Sequence, residues 1–269
     1  MSFRGQHVLI TGGSSGIGLA LALQLASEGA KLSLLARDPR KLEAAKNVFL
    51  EKVPGANVAL IPCDVTKQAD VGDSFGAAEK ANGPIDILIT SAGIARPGYF
   101  GELPIEVHER TMAVNYFGTL YCVKAVTPGM VGRGRGSIVM ISSGAGLVGL
   151  FGYTAYSPSK FAVRGLAESL RGELAGTGVA VTLVYPPDTD TPQLADENLT
   201  KPLETKAITA EGGLWTADDV AKATLDGVRA RRFEVAPGFQ LWALSWLHSL
   251  IAPLLRWRFD RLAAGAKKR

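Results

Sequence analysis

Residues 7–18 read HVLITGGSSGIG, in which a short run with strand character enters a glycine-rich turn that opens directly into an apolar helical stretch, LALALQLAS. Gly12, Gly16 and Gly18 permit a tight turn and close backbone approach. The first helical turn, with Ser14, Ser15 and Ile17, presents amide groups suited to a pyrophosphate. The spacing is G-x-x-x-G-x-G, not the G-x-G-x-x-G of the dinucleotide fingerprint. No lysine follows the last glycine, which sets the turn apart from a P-loop. A glycine-rich loop by itself says little; its place between a strand and a helix makes it a nucleotide cradle.

Outward from this unit, short apolar runs alternate with amphipathic stretches. Strands are expected at 7–11, 31–36, 58–62, 86–90, 137–142 and 179–185, and helices near 16–29, 38–52, 67–82, 102–130 and 154–175. Near-continuous apolar strands separated by helices predict a parallel sheet covered on both faces. The expected fold is α/β, a Rossmann-type doubly wound parallel sheet forming a single domain over residues 1–238, with an apolar C-terminal helical segment at 239–269. The stretch YPPDTDTPQLADENLTKPLE (185–204) exceeds an ordinary connection and reads as a lid or binding loop.

The chain has 269 residues, 47% of them hydrophobic, ample for a sizeable core. Two distant cysteines and three scattered histidines offer neither a disulfide framework, a zinc cluster nor a Ser-His-Asp triad, and suit a reducing compartment. The opening MSFRGQHVLIT lacks a charged region followed by a long apolar core, so no secretory leader is expected. The formal charge is +4, yet residues 256–269 hold six basic residues against one aspartate, which leaves the body close to neutral. A basic tail on a neutral body suits an anionic surface and not a nucleic-acid-binding domain, so no nucleic acid is expected as partner.

The second strand should end beside the adenosine ribose, where an acidic residue binds the 2′-hydroxyl of NAD and a basic one the 2′-phosphate of NADP. Here the strand end reads LLARDPRKL, placing Arg37 first and Lys41 one helical turn later. Charge complementarity favours NADPH. Asp38 is the contrary sign, although it also suits the N-cap of the next helix. Asp64, after the third strand, is placed to meet the adenine or to cap a helix.

The segment GYTAYSPSK (152–160) holds two tyrosines before a lysine. On a helix, Tyr156 and Lys160 are neighbours four positions apart, whereas Tyr153 is farther from the ammonium. A cation at about 4 Å, with an effective dielectric of ~20, would favour the phenolate by up to ~4 kcal/mol, which predicts a tyrosine titrating near neutrality. Pro158 is tolerable in a first helical turn.

Together these residues resemble the short-chain dehydrogenase/reductase family over roughly residues 6 to 238. The family's glycine motif matches Gly12, Gly16 and Gly18, and its catalytic Tyr-x-x-x-Lys matches Tyr156 and Lys160. Its serine, thirteen residues before the tyrosine, falls on Ser143, with Ser142 as the adjacent alternative, and its helix asparagine on Asn115. The usual Asn-Asn-Ala-Gly is TSAG here, keeping Ala92 and Gly93 but losing the asparagine. The resemblance implies that Tyr156 donates a proton, that Lys160 lowers its pKa and holds the nicotinamide ribose, that Ser143 binds the carbonyl, and that Asn115 positions a water. It also implies cofactor contacts from Val65, Pro186, Thr189 and Thr191, leaves Tyr153 as pocket wall, and suggests pairing into a homodimer or homotetramer through the long helices near 102–130 and 154–175.

Residues 149–170 and 185–205, with Pro186-Pro187 where most relatives have Pro-Gly, resemble the branch of the family that reduces 3-ketodihydrosphingosine, a long-chain amino-ketone lipid. An acyl thioester or steroid ketone is the alternative substrate, and a non-catalytic NADP-binding sensor the alternative from another class. Asp188 or Asp190 is a candidate partner for the substrate's ammonium, with turn and capping roles as the alternative. Residues 239–259, FQLWALSWLHSLIAPLLRWRF, hold three of the four tryptophans and predict a helix lying at a membrane interface, or else a core or oligomer helix. The expected location is the cytoplasmic side of a membrane, at the endoplasmic reticulum in a eukaryote or the inner membrane or cytoplasm in a bacterium, with attachment through the C-terminus.

Overall fold

The structure, a computed structural model, describes residues 2–210 and 213–266. Strands β1 (His7–Thr11), β2 (Lys31–Ala36), β3 (Val58–Pro62), β4 (Ile87–Thr90), β5 (Gly136–Ile141) and β6 (Val179–Val184) alternate with helices α1 (Gly16–Ser27), α2 (Pro39–Lys52), α3 (Gln68–Asn82), α4 (Ile105–Met112), α5 (Gly118–Gly132) and α6 (Tyr156–Glu173). All six expected strands form, with ends within one residue of their predicted bounds. They make a parallel sheet in the order β3-β2-β1-β4-β5-β6, extended at the β6 edge by a two-residue strand, Glu234–Val235, to seven strands. The order reverses between β1 and β4, and ligands of such sheets bind in the crevice beyond the strand ends at this point.

Successive side chains along a strand face opposite layers, and the core divides accordingly. Leu9, Leu88, Ile138, Met140 and Leu183 join one buried cluster with residues of α3, α5 and α6. Their neighbours Val8, Ile87, Ile89, Val139 and Val184 join the other, with α1 and α2. The long helix expected over 102–130 is two helices joined by a π-turn, Ala113–Phe117, which contains Asn115. Pro158 falls within the first turn of α6, as expected, and Asp38 caps α2 by accepting from the Arg40 amide at 2.9 Å.

The long stretch at 185–204 is not a loop. It holds the short strand β7 (Thr189–Asp190) and helix α7 (Pro192–Thr200), followed by α8 (Leu203–Thr209). Pro192 stands in the first turn of α7, whose cap Thr191 accepts from Leu194 N at 3.3 Å, so the residues that looked like loop formers are a helix start. β7 pairs with β8 (Trp215–Thr216), and α9 (Ala217–Arg229) then packs against α1. The edge strand Glu234–Val235 is β9, and α10 (Phe239–Ala266) follows with non-helical backbone at Leu247, next to His248. Pro253 is accommodated inside α10, which packs on α8. Among the described residues no helix is long and apolar enough to cross a membrane. Of the basic tail, Lys267, Lys268 and Arg269 lie outside the described residues.

Candidate active site

A cavity of about 1230 Å³ opens at the reversal point of the sheet. At one end lies the glycine turn. Gly12 has φ +68°, and a Cβ there would sit 2.7 Å from the Ala92 amide nitrogen; the backbone after β4 therefore closes against the turn only because Gly12 has no side chain. Gly16, at φ +54°, lies under Thr191. Gly18 does not line the cavity: a Cβ there would lie 2.3 Å from the Gly12 carbonyl oxygen, so its absence lets α1 pack on the turn. Ser15 is the extended N-cap of α1, but its side chain makes no cap hydrogen bond. The first amides of α1 are thus left for an anionic ligand.

Ser14, Ser15, Gly16 and Ile17 line this end, with Arg37, Asp38 and Lys41 from the β2–α2 turn and Asp64 and Val65 from the end of β3. Arg110 of α4, not anticipated from sequence, also reaches it, so three basic side chains border this end of the pocket. Asp64 is not a helix cap; its carboxylate accepts from Thr66 N and Oγ1 at 3.1 and 2.8 Å. Its pKa is lowered overall: the Thr66 bonds and the charges of Arg110 and Arg37 outweigh the upward push of burial. Ala92 and Gly93 form the floor, and Pro186, Thr189 and Thr191 the opposite wall. A turn that only glycine can occupy, an open helix N-terminus and a cationic rim fit the phosphates of a dinucleotide.

In the middle of the cavity Ser143, Tyr156 and Lys160 meet. The two adjacent serines part company. Ser142 Oγ donates to the Lys160 carbonyl at 3.1 Å and ties β5 to α6, whereas the side chain of Ser143 faces the Tyr156 hydroxyl. Asn115 does not line the cavity. Its amide nitrogen donates to Ile94 O at 3.0 Å and Ser159 Oγ at 2.9 Å, and its oxygen accepts from Ile94 N at 2.9 Å. Asn115 therefore clamps the segment after β4 to the first turn of α6 from behind the site.

The expected lowering of the tyrosine pKa by Lys160 is not what this arrangement produces. The Lys160 ammonium lies 5.5 Å from the Tyr156 ring centroid and donates to Ile141 O at 3.0 Å. Burial pushes the Tyr156 phenol above its ordinary value, the charge of Glu197 adds to this, and the Ser143 and Gln193 side chains oppose it. Burial takes Lys160 down to about 8, with Glu197 holding it up. Tyr156 is consequently a neutral phenol, a proton donor.

Sequence reasoning missed what faces this pair from α7. Gln193, Glu197 and Lys201 recur every four residues, so the helix and its C-terminal cap turn one polar stripe inward. Buried Glu197 accepts from Tyr153 Oη at 2.7 Å and Gln193 Nε2 at 2.9 Å. Buried Lys201 pairs with Asp188 at 3.2 Å. The four-residue spacing was the available signal, hidden by reading the stretch as a loop. Beyond this stripe the cavity becomes apolar, lined by Ile208 of α8 and by Leu241, Leu244, Ile251, Leu255 and Phe259 of α10.

Residues 6–202 match the short chain dehydrogenase family. A 3-dehydrosphinganine reductase from Danio rerio is 42% identical over 94% of this chain and 77% of its own. A 3-ketodihydrosphingosine reductase from Dictyostelium discoideum is 39% identical over 94% of this chain and 84% of its own. Among solved structures, a short chain dehydrogenase/reductase from Burkholderia phymatum in complex with NAD superposes with TM-score 0.83 at 28% identity, covering 94% of this chain and 96% of that one. A short chain dehydrogenase from Burkholderia cenocepacia in complex with NADP gives 0.79 at 26% identity, covering 96% and 99%.

Proposed function

The chain belongs to the short chain dehydrogenase family, and from that premise we propose that it reduces 3-ketodihydrosphingosine to dihydrosphingosine with NADPH. The observation that carries the reading is the meeting of Ser143, Tyr156 and Lys160 in one cavity with the glycine cradle at one end and an apolar α10 wall at the other. The relatives named for this reaction match along nearly the whole chain.

NADPH, when bound, supplies a hydride to the ketone carbon. The glycine turn and the first amides of α1 would hold its pyrophosphate, Arg37, Lys41 and Arg110 its 2′-phosphate, and Thr189 and Thr191 its nicotinamide end. Ser143 donates a hydrogen bond to the ketone oxygen, and Tyr156 gives that oxygen its proton. The phenolate left behind is stabilised by the Lys160 cation, which at neutral pH is still charged. Asn115 fixes the geometry from outside the cavity.

The apolar arm under α10 would take the substrate's alkyl chain. The side of α10 away from the cavity exposes Trp242, Trp246, Leu250, Leu254 and Trp257 at three- and four-residue steps, a stripe suited to the lipid interface. The reading therefore includes peripheral attachment to the cytoplasmic face of a membrane. Pairing of copies through α5 and α6, with Phe117 of the π-turn before α5 and Phe161 of α6 exposed, belongs to it as well.

The test is oxidation of NADPH by detergent-solubilised protein with 3-ketodihydrosphingosine, beside NADH and Tyr156→Phe. Turnover with NADPH that the substitution abolishes supports the reading. Turnover of a steroid or acyl ketone instead defeats the substrate, and tight cofactor binding with no ketone reduced defeats the enzyme.

A further inference from the structure

We propose that Glu197 is the anionic half of a primary-ammonium subsite, which selects a ketone bearing an amino group on the adjacent carbon. The inference deepens the substrate reading above and rests on it for the identity of the ligand. A ketone oxygen placed between Ser143 and Tyr156 puts the neighbouring ammonium nitrogen two bonds from the reacting carbon, so its counterion must stand close to the tyrosine. Three acids line this part of the cavity. Asp188 already holds the buried Lys201 ammonium at 3.2 Å. Asp196 is exposed. Asp190, suspected from sequence, is exposed and outside the cavity.

Glu197 differs from all of these. It is 7% exposed, and among the described residues it is in no salt bridge. Among the described residues its oxygens accept from neutral donors, Tyr153 Oη at 2.7 Å and Gln193 Nε2 at 2.9 Å. A carboxylate in that position keeps unused lone pairs in a desolvated setting, which a cation with three N–H donors relieves. The two donors also aim it, since Tyr153 packs against Tyr156 with ring centroids 5.5 Å apart and the planes tilted by 52°. Tyr153, expected as plain pocket wall, thus positions the carboxylate, while the Lys201 ammonium already lies 6.0 Å from its ring centroid. The division of labour follows: Lys201 neutralises Asp188, so Glu197 is the buried carboxylate in this part of the cavity without an ion pair among the described residues, and its charge is felt by both Tyr156 and Lys160.

The experiment measures kcat/KM for 3-ketodihydrosphingosine and for the chain-matched ketone without the amino group, in wild type and in Glu197→Gln and Glu197→Asp. The ratio of the two is read because any general damage to Tyr156 or Lys160 cancels in it. The expected result is a preference for the amino ketone that collapses about tenfold or more in the Gln variant and partly recovers in the Asp variant. An unchanged ratio overturns the proposal. A second measurement needs no variant: dodecylammonium and dodecanol are compared as inhibitors of whichever ketone the wild type reduces. Stronger inhibition by dodecylammonium supports the subsite; equal inhibition overturns it. Failure to reduce 3-ketodihydrosphingosine while dodecylammonium still inhibits selectively would sink the substrate and keep the subsite.

Discussion

On the proposed reading, Tyr156 and Lys160 divide proton donation between them in a way their burial dictates. A phenol held neutral by burial and the Glu197 charge keeps its proton, and the phenolate it becomes on donating needs stabilisation. Tyr156→Phe should therefore lower kcat by about 10²–10⁴ while leaving NADPH affinity within a factor of about two, checked by fluorescence titration. Lys160 supplies the compensating charge only while protonated. Because burial brings it down to about 8, reductive kcat/KM is expected to fall as pH rises through that value. Glu197 raises the lysine, so Glu197→Gln should move this alkaline limb to lower pH; a limb that stays put or moves up would contradict the coupling. The Tyr156–Lys160 pair was legible in the chain because positions four apart on a helix are neighbours, whereas Ser143 came from the family resemblance. Which of Ser142 and Ser143 faces the tyrosine was not, since neighbours on extended backbone point opposite ways and only the packing of α6 decides. Glu197 was illegible for a related reason: in ADENLT it looks like one more solvated acid until the register of α7 is known.

At the scale of elements, the β1–turn–α1 unit binds through what its glycines lack. A methyl on Gly18 would lie 2.3 Å from the Gly12 carbonyl oxygen, where nothing but backbone can give way. Gly18→Ala should destabilise the fold by about 1–3 kcal/mol and weaken NADPH binding more than tenfold, read from urea midpoints with and without cofactor. β1 begins at another constrained point. His7 is buried, with Nδ1 2.6 Å from Gly83 O and Nε2 2.9 Å from Ser33 Oγ, and burial lowers its pKa below 6.5. The unfolded chain then binds a proton that the folded chain refuses. Stability is complete above pH 6.5 and declines as pH falls below it, and His7→Gln should flatten that part of the profile between about pH 5 and pH 8. The six long strands were readable because each is apolar on both faces, the mark of a sheet covered on both sides. β9 was not, since two residues carry no period. The Thr216 cap and the acidic first turn of α9 were visible cues that went unused.

For the whole molecule, the decisive element is α10, because it has two apolar sides with different neighbours. Leu244, Ile251, Leu255 and Phe259 face inward to the core and the cavity, while Trp242, Trp246, Leu250, Leu254 and Trp257 face outward. A single helix thus separates the arm of the cavity suited to an alkyl chain from a surface suited to the bilayer that would deliver it. The composition of 239–259 revealed an apolar helix, but not this division, because a helix apolar all round has no moment to read. The Arg261 guanidinium stacks at 4.2 Å on Trp257, so positive charge borders the stripe where anionic headgroups would meet it. Trp242→Glu with Trp246→Glu places charge on the outer side without touching the cavity lining. Wild-type protein should co-sediment with phosphatidylcholine–phosphatidylserine vesicles, and the double variant should bind them at least about tenfold less. Turnover of 3-ketodihydrosphingosine embedded in vesicles should fall with binding, whereas turnover of a short, water-soluble α-amino ketone should not. Equal vesicle binding by both proteins would remove the membrane from the account. Conversion of an oligomer to monomers by the same pair of substitutions would assign the outer stripe to a second copy of the chain, and the alkyl arm would then have to fill from water.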